Sequence, residues 1–353
     1  MRQIREALVI RGPGRLELET RDVPDLADSD VIVDVEFGGI CGSDLHYWRH
    51  GTSGTSVLRE PMILGHEVVG RVGREAQNGS GPSVGVAVAV YPAVMCGTCE
   101  QCRAGRRNLC VSVKYMGSAA HLPHTDGGFA SQIVVPQVNL RVLPDNVPLE
   151  RFALVEPASV AWHAVNRAGP VVGARTLVVG AGPIGLAVVA ILRLRGAAHI
   201  AVSDLHPRPL ETALRLGADD AMLSGAISDS KTERGYDAAF ECSGSAPGLA
   251  QAMEKTRGGG RVVMVGNQGV DDIPFSAARA ISKELQVSGS YRFDGEFDEV
   301  ISAISSGALD LTPIVSGVFE WHDFIDAFQS AADASASSKV LLAISSRTGH
   351  HRD

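Results

Sequence analysis

Cys41, His66 and Glu67 place a thiol, an imidazole and a carboxylate within 27 positions. Thiolate and imidazole are zinc ligands, and a carboxylate can complete three protein ligands while a fourth position stays open for a reactant. Each residue alone also reads as a buried Cys, His or Glu that merely packs. The three together, two of them adjacent, point to a catalytic metal shell.

A second thiol group has a different character. Cys96, Cys99, Cys102 and Cys110 follow the spacing C-x2-C-x2-C-x7-C. Four thiolates so close can close a tetrahedral shell around zinc, with no corner left for a reactant, so the expected role is structural. An iron–sulfur cluster is the competing reading of four cysteines, but nothing else in the chain signals a redox centre. Six cysteines in all, with no apolar signal core at the N-terminus, fit a reducing cytoplasm and metal rather than disulfides.

Other polar residues have two readings each. Glu156 precedes a helix expected to begin after Pro157; its carboxylate either approaches the metal or serves the helix dipole. His163, inside that helix, reads as structural. His121 and His124, in a stretch with no helix or strand pattern, are either exposed loop histidines or donors lining a polar substrate pocket.

The elements that must position these groups fall into two patterns. To about residue 150 the chain shows short β-branched runs cut by Gly and Pro, and the chemical residues fall on their connections. The small, polar Gly51–Ser56 stretch reads as a loop over the site or a plain surface loop. From about residue 170 the pattern is α/β. Thr176–Gly180 is a buried strand, Gly180-Ala-Gly182-Pro183-Ile184-Gly185 turns into a helix over 186–195, and the next strand ends at Asp204. In that context the glycines read as a dinucleotide-binding turn, with the pyrophosphate on the helix N-terminus. Asp204 is expected to accept from the adenosine ribose, which favours NAD; Arg208 is near enough in sequence to admit NADP. Later strand ends, at 242–244 and 265–267, are expected to flank the nicotinamide, which brings in Val265 and Gly266; Cys242 reads as packing. Ser288–Phe293 is expected to return to β structure, followed by helices at 298–305 and 323–331 and a last strand over 339–345. The tail 346–353 is expected to fray.

Length and charge bound the rest. A chain of 353 residues suits two domains. With 45% hydrophobic residues, net charge −8, no long apolar run and no Lys/Arg cluster, neither a membrane span nor a nucleic-acid partner is expected.

In the order Cys41-Gly-Ser-Asp, Gly65-His-Glu, four clustered cysteines, Glu156-Pro, Gly180-x-Gly-x-x-Gly, the chain resembles the zinc-dependent medium-chain dehydrogenases over nearly its whole length. Ile40 to Trp48 is similar to the polyol, sorbitol dehydrogenase-like branch, which makes Tyr47 a candidate substrate contact. Gly117-Ser and His124 to Phe129 look more like the L-idonate 5-dehydrogenases. Gly85-Val-Ala-Val88 departs from the family's usual Gly-Asp-Arg-Val, away from the metal ligands.

The resemblance implies an α/β protein with a GroES-like, mostly-β catalytic domain (1–152 and 290–353). Around residues 153–289 it implies a Rossmann domain, a doubly wound parallel sheet. It implies catalytic zinc at Cys41, His66 and Glu67 with Glu156 nearby, structural zinc at the four cysteines, NAD or NADP as cofactor, and often a homotetramer. The expected reaction moves a hydride between a secondary alcohol of a sugar acid, L-idonate, and the nicotinamide. The hydroxyl proton leaves through Ser43 and a ribose hydroxyl to His46, on a loop open to solvent. Arg292 is the candidate partner for the substrate carboxylate, with pyrophosphate or interdomain contact as its other reading. The rival readings are a neutral polyol dehydrogenase and a non-catalytic zinc- and nucleotide-binding protein, which would bind NAD without turnover.

Overall fold

The structure is a computed structural model that describes residues 4–224, 234–267 and 272–345. Its two largest sheets position the site, and each follows from its sequence pattern.

The first is mixed and seven-stranded. Its path runs Leu140–Val142, Ala87–Val90, Glu67–Arg74, Asp30–Gly39, Lys339–Ala343, Val315–Glu320, and Gln132–Pro136 also pairs with Asp30–Gly39. The last two strands of the path are parallel to each other and the rest antiparallel. Val31, Val33, Val35, Val68, Val72, Val340 and Leu342 close into one buried cluster. Thus the chain's final described strand pairs with Asp30–Gly39, which also pairs with the strand that begins at Glu67.

The second sheet is parallel and six-stranded. Its order is Asp220–Leu223, His199–Asp204, Arg175–Val179, Tyr236–Glu241, Thr256–Met264, Gln286–Gly289. Arg175–Val179 is followed in sequence by a neighbour on one side and later by a neighbour on the other. The order therefore reverses beside it, and the crevice at the strands' C-terminal ends is where such sheets bind ligands. The helices Val155–Arg167 and Pro183–Leu194 pack against each other over this sheet.

Three expectations change. Ser43 and His46 are not on a loop: Gly42–His50 is a helix, with Cys41 as its N-cap and Gly51 closing it at φ 68°. The helix carrying Glu156 begins at Val155, two residues before Pro157, so Glu156 lies inside its first turn. Proline is tolerated there because the first-turn N–H groups have no intrahelical partner. The strand Gln286–Gly289 ends before Ser290, so Tyr291–Asp294 is a connection rather than a strand. Among the described residues no helix is long and apolar enough to cross a membrane. The terminal segment 346–353, expected to fray and bearing two histidines, lies outside the described residues.

Candidate active site

Cys41 caps a helix, His66 follows Gly65, and Glu67 opens a central strand. Asp44, fully buried, ties the first two segments together. One of its oxygens accepts the Cys41 N–H at 3.0 Å and the other the Gly65 N–H at 3.1 Å. Gly65 has φ 90°, and a Cβ there would overlap the Phe129 ring, so the turn that aims His66 needs glycine. The result brings ligand atoms of Cys41, His66 and Glu67 within 4.8 Å of one another.

This group fits a cation. His66 Nδ1 is buried and has no hydrogen-bond partner, a state that needs an explanation such as an ion. Burial disfavours charge on the imidazole, yet Cys41, Asp44 and Glu156 together hold its pKa well above the usual histidine value. Burial also pushes Glu67 up to about 7, against the pull of Lys339 and with repulsion from Glu156. A divalent ion would relieve that excess of negative groups. Lys339 supplies part of the balance: its Nζ, 2% exposed, donates to both Glu67 oxygens at 2.8 and 2.7 Å and to the Ile40 carbonyl at 3.0 Å.

A cleft of about 500 Å³ opens on His66, lined also by Ser43, Tyr47, Tyr115, Glu156, Val265, Gly266, Ser290 and Arg292. The Gly51–Ser56 stretch forms a tight two-stranded turn whose Ser53 to Ser56 edge lines the same cleft. Tyr115 is the hub. Its hydroxyl donates to Glu156 Oε1 at 2.5 Å, its ring meets His66 edge-on at 5.7 Å, and the Arg292 guanidinium lies 4.3 Å over it. Burial and Glu156 hold the phenol well above its usual pKa, so it donates rather than ionises. Tyr47 reaches the cleft while its hydroxyl accepts from the Ala119 N–H at 3.0 Å.

The four cysteines converge in a lobe at 96–110 and form no disulfide. Cys96 Sγ lies 3.5 Å from Cys110 Sγ and 4.0 Å from Cys102 Sγ. A tetrahedron of sulfurs about 2.3 Å from zinc has edges of about 3.8 Å, so the spacing suits that ion. Backbone N–H groups of Cys96, Cys99 and Cys102 donate to sulfurs of the cluster, which favours thiolates.

The dinucleotide turn is formed as its spacing predicts. Gly180 has φ 94°, and a Cβ at Gly185 would overlap the Gly180 carbonyl. Gly182 is the N-cap, Pro183 and Ile184 open the helix, and no side chain caps it, which leaves its N–H groups free for phosphate. A cleft of about 980 Å³ runs from these glycines past Asp204 to Cys242 and Ser243. Asp204 accepts from the Ala181 and His206 N–H groups at 2.7 and 2.9 Å, which fixes its carboxylate at the wall of this cleft. Val265 and Gly266 both donate to the Glu241 carbonyl, at 2.8 and 2.9 Å, and so turn the strand end toward the metal cleft.

Four expected site residues lie elsewhere. His124 is spent on its own loop: Nε2 accepts the Arg59 N–H at 2.9 Å, and Nδ1 donates to the His121 carbonyl at 2.7 Å. His121 reaches the Val113 carbonyl and lines a separate pocket. Arg208, on the helix Pro207–Arg215, faces a different cleft beside Ser316 and Ser337 rather than the dinucleotide. His46 is exposed on its helix, one turn from Ser43, and does not line the cleft. Conversely, the motifs hold no sign of Lys339 or Tyr115; only the sequence Cys41-Gly-Ser-Asp44 hinted at Asp44.

Residues 27–145 match the alcohol dehydrogenase GroES-like domain and residues 183–306 the zinc-binding dehydrogenase family. The chain is 35% identical over 349 residues to the probable D-xylulose reductase A of Neosartorya fischeri, covering 96% of each. It is 35% identical over 328 residues to L-idonate 5-dehydrogenase (NAD(P)(+)) of Escherichia coli K12, covering 92% of this chain and 94% of that one. The crystal structure of L-idonate 5-dehydrogenase from E. coli superposes with a TM-score of 0.92 at 33% identity, covering 97% and 99% of the two chains. A zinc-binding dehydrogenase from Sinorhizobium meliloti bound to NADP superposes with a TM-score of 0.87 at 26% identity, over 97% and 99%.

Proposed function

The chain belongs to the zinc-dependent medium-chain dehydrogenases, and from that premise we propose that it oxidises a secondary hydroxyl of a sugar acid, L-idonate to 5-keto-gluconate, with NAD(P) as hydride acceptor. The observation that carries the sugar-acid reading is Arg292. Its guanidinium lines the metal cleft, and its Nη1 is buried without a hydrogen-bond partner. A guanidinium so held suits a carboxylate, which it can grip at two points.

Cys41 and His66, with Glu67 or Glu156, would hold zinc, which would supply Lewis-acid lowering of the hydroxyl pKa, and a bound nicotinamide would accept the hydride. The protein's own groups do the rest. Ser43, in the cleft, would take up the hydroxyl proton, and His46, exposed one turn further along the same helix, would release it to solvent. Tyr115 fixes one Glu156 oxygen and leaves the other free. Val265 and Gly266 would back the nicotinamide end of the cofactor, and Asp204 would meet its adenosine ribose. The Asp204 carboxylate repels a 2′-phosphate, and Arg208 faces another cleft, so NAD is the preferred form.

The 35% identity to a D-xylulose reductase supports a second reading, a neutral polyol dehydrogenase. A substrate panel of L-idonate, sorbitol and xylitol, run with NAD and with NADP, separates the two. L-Idonate is expected to have the highest kcat/KM, and Arg292→Ala to lower it far more for L-idonate than for xylitol. An equal loss on both substrates would remove the carboxylate role.

A further inference from the structure

We propose that the cysteine lobe is a positioning device for the substrate pocket, in which Arg107 and Asn108 hold the Tyr291–Asp294 connection so that Arg292 faces the substrate. The proposal rests on the sugar-acid reading of Arg292.

Arg292 has φ 54°, in the left-handed region that a non-glycine residue keeps only where its surroundings over-determine it. The restraints lie on both sides of it, and the lobe supplies several. Asn108 Nδ2 donates to the Tyr291 carbonyl at 2.9 Å, one residue before Arg292. Two residues after it, Asp294 receives the Arg107 backbone N–H at 2.8 Å and Arg107 Nε at 2.6 Å. Tyr91, on the same side, donates its hydroxyl to the Asp294 carbonyl at 3.1 Å. Phe293, between them, is buried against the Tyr91 and Phe297 rings at 5.3 and 5.6 Å.

Arg107 and Asn108 lie between Cys102 and Cys110, so the ion that would close the four thiols also sets where these two side chains begin. Neither residue lines the cleft. The Arg107 side chain is half exposed, which makes its ion pair a poor source of stability but leaves its geometric role intact. Held in this way, the guanidinium sits between the Tyr115 and Tyr291 rings, 4.3 and 4.8 Å from their centres, with Nη1 directed at no protein acceptor.

The test is a mutant cycle in the zinc-loaded enzyme. Arg107→Ala/Asn108→Ala is combined with Arg292→Ala, and KM is measured for L-idonate, xylitol and NAD. The double variant is expected to raise KM for L-idonate about tenfold, within the ~10²-fold that a misplacement of one ångström can cost. KM for xylitol and NAD, the zinc content and the melting midpoint should stay near wild type. In the Arg292→Ala background the same pair should change KM for L-idonate less than about twofold, because coupled groups do not add. Effects that multiply across the two backgrounds, or that fall alike on all three KM values, overturn the proposal. If Arg292→Ala weakens xylitol and L-idonate equally, the sugar-acid reading fails, and the cycle on xylitol then decides the clamp by the same criterion. Should the double variant not fold, Asp294→Asn keeps the shape, weakens the Arg107 contact, and is held to the same outcomes.

Discussion

Lys339→Met tests the charge balance of the metal site most directly. Lys339 is 2% exposed, and its ammonium makes three bonds, two to Glu67 and one to the Ile40 carbonyl. Methionine fills similar space but leaves Glu67 a buried carboxylate without its counter-ion. Breaking such a pair by removing one partner costs about 3–5 kcal/mol. A chain of 353 residues gains about 0.7 kcal/mol per kelvin of unfolding entropy near its midpoint. The melting midpoint should therefore fall by about 4–7 °C. The loss also depends on pH. Burial already pushes Glu67 up to about 7 with Lys339 present, and without Lys339 the acid climbs further. An acid with a raised folded pKa gives stability that is present at low pH and lost as pH rises toward that pKa. The deficit of Lys339→Met, measured by thermal melts of chelator-treated protein, should be largest at pH 8.5 and shrink toward pH 6. Lys339→Met/Glu67→Gln, which removes both charges, should recover at least half of the loss. A midpoint within about 1 °C of wild type at pH 8.5 would refute an ionised Glu67 balanced by Lys339, because the ~3–5 kcal/mol penalty would then have no source.

Three further outcomes follow from the same geometry. Tyr115→Phe keeps the ring under Arg292 but removes the 2.5 Å bond to Glu156; a bond to a charged group is worth about 1.5–3 kcal/mol, so kcat/KM should fall at least about tenfold, and unchanged steady-state constants would dismiss the hub. Burial, His50 and Arg49 lower the His46 pKa, so it remains a base to lower pH than an ordinary histidine; His46→Gln should slow oxidation most near neutral pH and least at alkaline pH, and an equal loss across the pH–rate profile removes His46 from the relay. Burial would raise Glu296, but hydrogen bonds from His163 and from the Asp294 and Glu296 N–H groups hold it at about 2 against an ordinary 4.5; its stabilisation is complete above pH 4.5 and lost as pH falls through 2, so Glu296→Gln should cost about 1–2 kcal/mol at pH 7 in urea titrations, and a difference as large at pH 3 as at pH 7 would contradict the assignment.

The readable parts of this molecule were those in which one short segment carries both the ligand and the geometry. The four thiols need only the turn at 96–110, and the pyrophosphate turn needs only its glycines and one helix end. Cys41, His66 and Glu67 were recognisable because two of them are adjacent and the third caps the helix that Asp44 ties back to Gly65. The same segment misled in one respect. Its serine and histidine read as loop residues because they fall on a connection between two strand patterns, but the cap at Cys41 and the left-handed Gly51 close a nine-residue helix there. His121 and His124 were ambiguous for a related reason. Their hydrogen bonds to Val113, Arg59 and each other's loop depend on how that loop folds back, and no spacing encodes it.

What the sequence hid is the long-range part of the site, and it has a common cause. Lys339 stands 272 positions from Glu67, and a lone lysine at the start of a strand ordinarily reads as solvated. It is buried only because Lys339–Ala343 pairs with Asp30–Gly39, beside the strand that Glu67 opens. Arg292 reaches the cleft through a connection fixed by residues near 91 and 107. Local motifs therefore specify the metal and the cofactor, which are shared across the family. Lys339, which balances the site's charge, and Arg292 in the cleft are brought in by sheet pairing and lobe contacts. Substrate preference in this fold should accordingly change through residues outside the motifs, with the zinc and dinucleotide signatures left intact.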